Sequence, residues 1–205
     1  MAFVKSQGGS PVGEERRNRA RDYAGLVAEL DDADPKARRW AARDLRAWPA
    51  ASAALVARLH RERDDAVREM ILTSLTALGD DTVVTALVGC LRSEDVVLRN
   101  EAVEALKQLP EKTAAIMNQL LADGDPDVRI FAVNILEGLR HPEVESWLLA
   151  VVERDPHVNV CAAAVDLLGE VGTASAREPL ERLSARFADP YIQFATALAL
   201  RRIKG

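Results

Sequence analysis

Apolar side chains recur along this chain at the spacing of an α-helix, and the same arrangement returns every 30 to 32 residues. Counted from each starting residue, an apolar residue follows at position 3, a mostly small one at position 7 and a leucine at position 11. These positions and position 14 share one side of a 3.6-residue helix, so each copy is predicted to contain an amphipathic helix of about four turns. The starting residues are Asp34, Asp64, Asp95, Asp125, His157 and Asp189.

A shorter stretch with its own Ala, Leu and Val stripe precedes each of these helices and is joined to it by only a few residues. Short connections pair consecutive helices into hairpins, and a hairpin buries both stripes only by stacking on the next one. The expected fold is all-α, a right-handed α-solenoid of about six helical hairpins. Residues 1–13 are predicted to form a flexible tail and residues 14–205 a single domain, with repeats near 14–48, 50–79, 81–109, 111–140, 142–172 and 174–204.

The fourth copy carries a more specific signature. Residues 125–136 fit the pattern D-P-x-V-R-x-x-A-x-x-x-L, which resembles the HEAT-repeat family, in particular the HEAT-like type of the phycobilisome lyases. The resemblance covers roughly residues 14–204 and implies that the first helix of each hairpin lies on a convex side and the second on a concave side. It also implies a structural row of arginines that ends where Cys161 and Gln193 take the equivalent places; the row is Arg38, Arg68, Arg99 and Arg129.

Composition and charge narrow the class of protein. Hydrophobic residues make up 48% of the chain and aromatic residues only 4%, which favours close-packed helices over sheets. The net charge of −5 hides an asymmetry, because residues 1–63 carry 13 basic against 9 acidic side chains and residues 64–205 carry 14 against 23. Two distant cysteines and the lack of a long apolar run predict a cytoplasmic protein with neither a disulfide framework nor a membrane span.

Residues able to do chemistry are few, and their spacing favours structural roles. The three histidines lie in or near predicted loops and form no metal-ligand motif with cysteines or acids. Cys161, His157 and Asp166 could be combined into a nucleophilic site on paper, but Cys161 stands in a packing row, which favours a buried thiol. Paired acids begin helices, where capping explains them. We therefore expect no catalytic residue, no cofactor and no metal.

The side of each second helix opposite its apolar stripe is predicted to face the concave groove, at positions 2, 5, 6, 9 and 13 of each copy. Several of these positions hold large apolar residues where solubility alone would favour polar ones, and this is typical of an interaction surface. The alternative is that packing between repeats buries some of them. The predicted partner-binding residues are Arg39, Trp40, Arg43, Met70, Glu101, Glu104, Ile130, Phe131, Asn134, Tyr191 and Phe194.

Three functions remain open on the sequence. A non-enzymatic scaffold or regulatory adaptor, binding a protein partner through the concave face, requires no chemistry from the chain and is favoured. The resemblance implies a bilin lyase-like enzyme or enzyme subunit as the alternative, with a linear tetrapyrrole held in the groove. Nucleic-acid binding is disfavoured because Lys36, Arg39 and Arg43 serve only the first repeat and acidic residues follow. The oligomeric state is left open.

Overall fold

The structure, a computed structural model, describes residues 22–203; the predicted tail at 1–13 and the start of the first predicted helix lie outside the described residues. The described chain contains twelve α-helices and no β-strand. The helices are α1 (Tyr23–Glu29), α2 (Pro35–Leu45), α3 (Ser52–Leu59), α4 (Asp65–Leu78), α5 (Asp81–Cys90), α6 (Val96–Lys107), α7 (Pro110–Leu121), α8 (Pro126–Gly138), α9 (Val144–Arg154), α10 (Val158–Val171), α11 (Arg177–Arg186) and α12 (Pro190–Arg202). Short 3₁₀ turns precede α3 and α11, at Pro49–Ala51 and Ala174–Ala176.

These helices confirm the predicted all-α class built from consecutive helical hairpins. The odd-numbered helices are the first helices of the hairpins, and the even-numbered ones are the second helices that begin at the repeated starting residues. The chain divides into two compact units, residues 1–78 and 79–205. Gly79 has a φ of 57°, a backbone conformation that glycine adopts without the steric cost of a Cβ. The single domain and the six repeat boundaries stay predictions.

In the first unit, α2 is the central helix: α1 packs against one of its sides and α4 against another. Helix α3 completes the unit by packing on α4. The two second helices, α2 and α4, are therefore neighbours.

The second unit consists of two rows of helices. The first helices α5, α7, α9 and α11 contact one another in chain order, and the second helices α6, α8, α10 and α12 form a parallel row. Each first helix also packs against its own second helix. The apolar stripes of both rows meet between them, so the core is continuous through the unit.

The predicted stripe is buried at its first three positions. Every residue at positions 3 and 7 is buried, and so is every leucine at position 11 except Leu200, which is half-buried. Position 14 was predicted to be apolar and buried, and this is wrong for Trp48 and Val171, which are 38% and 45% exposed. Trp48 lies three residues beyond the end of α2, so helical phase does not set the direction of its side chain, whereas Val171 is the last residue of α10. Leu139 and Ile203, which hold the same position directly after α8 and α12, are buried as predicted.

An aspartate side chain caps five of the six second helices; at α4 the carboxylate of Asp64 accepts a hydrogen bond from the backbone N–H of Val67 at 3.1 Å. The carboxylate of Asp34 accepts a hydrogen bond from the backbone N–H of Lys36 at 2.9 Å, and Pro35 takes the first helical position. Aspartates at the starts of α6, α8 and α12 accept from backbone N–H groups in the same way. A carboxylate there satisfies donors that the helix leaves free and fixes where the helix begins.

Candidate functional site

Large hydrophobic side chains that stay exposed within residues 22–203 are confined to one kind of helix. All of them lie in a second helix or directly after one, and no first helix carries any. Because solvent-exposed large apolar side chains that share a location are typical of interaction surfaces, the outer sides of the second helices form the candidate site. We call them the second-helix face of each unit. The exposed residues are Trp40, Trp48, Val96, Val97, Val171, Tyr191 and Phe194.

In the first unit, this face is basic and aromatic. Arg39 and Arg43 are exposed one turn apart on α2, and Trp40 between them is 51% exposed. The guanidinium carbon of Arg43 lies 4.2 Å from the centroid of the Trp40 ring, a cation–π arrangement, and Arg43 also pairs with Asp44 at 2.9 Å. Met70, at the equivalent place on α4, is half-buried. The predicted residues Arg39, Trp40 and Arg43 therefore share one exposed surface.

A pocket of about 540 Å³ opens where α2 ends. Trp48 forms one wall, and its ring lies 5.8 Å from that of Tyr23, whose hydroxyl donates a hydrogen bond to the carbonyl of Ala50 at 3.0 Å. Sequence reasoning assigned Trp48 to the core and missed this wall. The pocket is lined by Leu26, Arg43, Asp44, Arg46, Ala47 and Trp48.

In the second unit, the face begins with acidic residues on α6 and α8. Glu104 is exposed and Glu101 half-buried. The ammonium of Lys107 lies 2.9 Å from a carboxylate oxygen of Glu104 and 3.3 Å from one of Glu137 on α8. Burial alone would lower the pKa of Lys107, but the hydrogen bonds to both carboxylates outweigh it and raise the pKa. Lys107 therefore stays charged and holds two acids of neighbouring helices together.

Between α8 and α10 the face contains a pocket of about 240 Å³ with apolar walls and acidic side chains; Val133, Asn134, Glu137, Ala163, Asp166, Leu167 and Glu170 line it. The predicted residue Asn134 is exposed at this pocket. Asp166 accepts a hydrogen bond of 2.9 Å from the hydroxyl of Tyr191 on α12, and this bond raises the pKa of Tyr191. Phe194, one turn further on, is 67% exposed. The structure thus brings Asn134, Tyr191 and Phe194 onto one row of helices.

The predicted residues Ile130 and Phe131 are less accessible than the other apolar residues of the face. Both are half-buried, and the guanidinium of Arg99 on α6 lies 5.9 Å from the Phe131 ring centroid. Arg99 also donates to the carbonyl of Ser93. Phe131 therefore contacts the preceding hairpin, while part of its surface stays accessible.

Two arginines of the row, Arg38 and Arg129, join neighbouring hairpins through charge pairs. Arg129 donates to both carboxylate oxygens of Asp155, at 2.7 and 3.1 Å, and to the carbonyl of Asp123 at 2.8 Å. Arg38 does the same with Glu62, at 2.9 and 2.8 Å, and with the carbonyl of Asp32. Both pairs are buried, so each guanidinium fixes a turn in its own hairpin to the turn of the next.

Glu62 shows how strongly one of these pairs is held. Burial would raise the pKa of its carboxyl, but hydrogen bonds from Arg38, from backbone N–H groups and from Arg58 outweigh burial and lower the pKa to about 2. In the same unit Arg68, also in the row, pairs with Asp65 on its own helix at 2.9 Å.

Where the arginine row ends, an arginine from outside the row contacts the turn that the missing arginine would have contacted. Cys161 occupies the position of the missing arginine, and Arg186 from the end of α11 reaches the same turn. Arg186 donates to the carbonyls of Glu153 and Asp155 at 2.7 and 2.8 Å and lies 3.2 Å from the Cys161 sulfur. Sequence reasoning missed Arg186. The signal available was Phe187, which stands where four of the other five hairpins place a carboxylate, at Asp32, Glu62, Asp123 and Asp155.

The nucleophilic site considered for Cys161, His157 and Asp166 is not assembled in the structure. Cys161 is fully buried, and burial raises the pKa of its thiol despite the nearby Arg186. Asp166 is engaged by Tyr191 instead. Burial also raises the pKa of Cys90 to about 11, so both cysteines are thiols near neutral pH.

In the described range, no group of three or more His, Cys, Asp or Glu side chains is arranged to hold a metal ion. None of the helices within residues 22–203 is long and apolar enough to cross a membrane.

Comparison with solved structures returns helical-repeat proteins of low sequence identity. Human deoxyhypusine hydroxylase in complex with glycerol is 17% identical with a TM-score of 0.45, covering 87% of this chain and 83% of that one. The complex of CpcE and CpcF of phycocyanin lyase from Nostoc sp. PCC7120 is 18% identical with a TM-score of 0.38, covering 98% and 100%. The archaeal HEAT-like repeats protein from Thermococcus onnurineus NA1 is 16% identical with a TM-score of 0.40, covering 88% and 87%.

Comparison with curated proteins finds no match. The family model of HEAT repeats, in contrast, matches residues 23–107 and 113–201, which is most of the chain. These ranges include all of the described helices that carry the repeated stripe. The chain belongs to the HEAT-repeat family.

Proposed function

We propose that this protein is a non-enzymatic binding module that holds a partner protein on its second-helix face. The observation that carries the proposal is the distribution of exposed large hydrophobic residues. Within the described chain they are restricted to second helices and to Trp48, which follows α2. A surface that needed only solubility would not segregate them in this way.

The chemistry of the two faces supports recognition of proteins. Phe194 and Tyr191 offer large, rigid contact areas, and such aromatic residues are enriched among the residues that contribute most to protein interfaces. Charged residues lie beside the exposed aromatic residues in both units, Arg43 beside Trp40 and Asp166 beside Tyr191, as in the polar rim of an interface. The buried thiols of Cys90 and Cys161 argue against nucleophilic catalysis by these residues.

A photocrosslinking experiment in the native cell tests the proposal. A benzophenone amino acid placed at Tyr191 or Phe194 should capture a partner protein, while the same group at Ala115 or Gln119, exposed on the first helix α7, should capture much less. All four sites are solvent-accessible and lie in the same unit, so accessibility is matched. Equal capture from both kinds of helix, or none from the second-helix face, would refute the proposal.

The variant Trp40→Ala/Phe131→Ala adds an independent measurement. Both side chains were predicted to anchor a partner, although Phe131 is half-buried and also contacts Arg99. Affinity capture with this variant should recover fewer partner proteins than the wild type. Identical partner lists would remove these two residues from the site.

A further inference from the structure

The exposed side of α2 carries a continuous basic stripe. Lys36, Arg39 and Arg43 lie on α2 and Arg46 directly follows it, at intervals of three or four residues; all four are exposed, and Arg43 also pairs with Asp44. Residues at these intervals lie one above the other on a helix, so the stripe is one helix wide and about 15 Å long.

Apolar surface borders this stripe at two places. Trp40 lies along its length and is 51% exposed, held by the guanidinium of Arg43. The pocket of about 540 Å³ lies at its C-terminal end, where Trp48, Leu26 and Ala47 form the apolar part of a wall that also contains Arg43, Asp44 and Arg46. A ligand that lay along the stripe would meet positive charge on one side and apolar surface beside and beyond it.

We propose that α2 docks an acidic amphipathic segment of the partner protein, with its carboxylates along the stripe and an apolar side chain in the Trp48 pocket. The inference rests on the proposed function and specifies the chemistry of the partner at the first unit. A helix with acids at intervals of three or four residues presents one row of negative charge, which complements one row of cations.

The neighbouring helix argues for a peptide over a nucleic acid. Helix α4 packs against α2, and at the place equivalent to Arg39 it presents the exposed carboxylate of Glu69. Asp65, also on α4, is exposed as well. A phosphate backbone wider than α2 would meet these like charges, whereas an acidic helix keeps its carboxylates on a single side.

Fluorescence anisotropy of the whole protein with three labelled probes tests the inference. The first probe is a synthetic helix with glutamates along one side and leucines along the other; the second has glutamine at every glutamate; the third is a single-stranded DNA. We expect the glutamate peptide to bind, with an affinity that falls as salt is added, and the other two to bind at least about tenfold more weakly.

The variant Arg39→Glu/Arg43→Glu should weaken binding of the glutamate peptide by about tenfold or more. Its matched control is Arg201→Glu/Arg202→Glu, which reverses two exposed arginines on α12. Trp40→Ala, which leaves the charges unchanged, should also weaken binding. Thermal unfolding of each variant shows whether it is folded, and Trp40→Ala keeps the test informative if the double reversal unfolds the protein.

Several outcomes would overturn the inference: equal binding of the glutamine peptide, equal binding of DNA, or equal loss of binding in the α12 variant. Its failure differs from a failure of the proposed function. If crosslinks at Tyr191 or Phe194 capture a partner while the glutamate peptide does not bind, the acidic-segment inference is wrong and the binding module stands. If the peptide binds α2 and no second-helix site yields a crosslink in cells, α2 has the affinity for an acidic helix that the inference requires, but the proposed function is refuted and the partner segment with it.

Discussion

Arg129 on α8 and Asp155 at the end of α9 form a bidentate, buried ion pair, with N–O distances of 2.7 and 3.1 Å. Both residues expose less than a tenth of their surface. The pair joins two consecutive hairpins, so its energetic role differs from that of pairs on the surface.

Removing one partner of this pair should be strongly destabilising. Arg129→Ala leaves the Asp155 carboxylate buried without its cation, and we expect a loss of about 3–5 kcal/mol in the free energy of unfolding. Urea denaturation measures it. The control is Arg182→Ala, which breaks an exposed pair with Glu153 in the same unit and should cost less than about 1 kcal/mol. Similar losses in the two variants would contradict the structural role of Arg129.

The pair between Arg38 and Glu62 predicts a pH dependence. The pKa of Glu62 in the folded protein, about 2, lies below that of an unfolded glutamate, so ionised Glu62 stabilises the fold. The stabilisation is complete above the unfolded pKa of about 4.3 and is lost as the pH falls towards 2. Its size is about 3 kcal/mol for a shift of this magnitude. The difference in stability between wild type and Glu62→Gln should therefore shrink steadily from pH 5 to about pH 2; a constant difference would contradict the pairing.

Two neighbouring positions of α12 separate the core from the candidate site. Ile192 is fully buried, and Ile192→Ala should lower the free energy of unfolding by about 2–5 kcal/mol through lost burial and a cavity. Phe194 is 67% exposed, and Phe194→Ala should change it by less than about 0.5 kcal/mol. Thermal and urea unfolding measure both. Loss of partner capture by Phe194→Ala at unchanged stability would be a binding effect, whereas a large loss of stability would place Phe194 in the core.

The two cysteines should resist modification in the folded protein. Both are buried, and burial raises the pKa of both thiols, so little thiolate is present or accessible near neutral pH. A thiol-reactive reagent should label them only as fast as the protein unfolds, which mass spectrometry can follow. Ala115→Cys, exposed on α7, is the positive control. Rapid labelling of native Cys161 would show that the turn around it opens.

Periodicity was sufficient to predict the class of fold because each copy repeats the same burial pattern. Positions 3 and 7 are buried in all six second helices, from Ala37 to Thr196. The same rule failed at position 14 for Trp48 and Val171, where the copies differ in how far the helix extends and in what packs on its last turn. Helix ends depend on local hydrogen bonding that spacing alone does not reveal.

The candidate site could be predicted only in part. Exposure of Trp40, Tyr191 and Phe194 agrees with their helical phase. Phase could not reveal the bond between Tyr191 and Asp166, since it joins two helices whose relative register is set by packing. Nor could it reveal Arg186, which comes from a first helix and replaces an arginine that the repeat places on a second helix.

The replacement at Cys161 has a consequence for how such an array can gain or lose copies. Elsewhere a deletion between Arg38 and Glu62, or between Arg129 and Asp155, would leave a buried charge without its counterpart. At the last hairpin the contact is made by a neutral thiol, carbonyl oxygens and Arg186, which is itself exposed and can regain water. The junction before α11 is therefore one at which evolution, or an engineer, can append or remove a hairpin without leaving a buried charge unpaired.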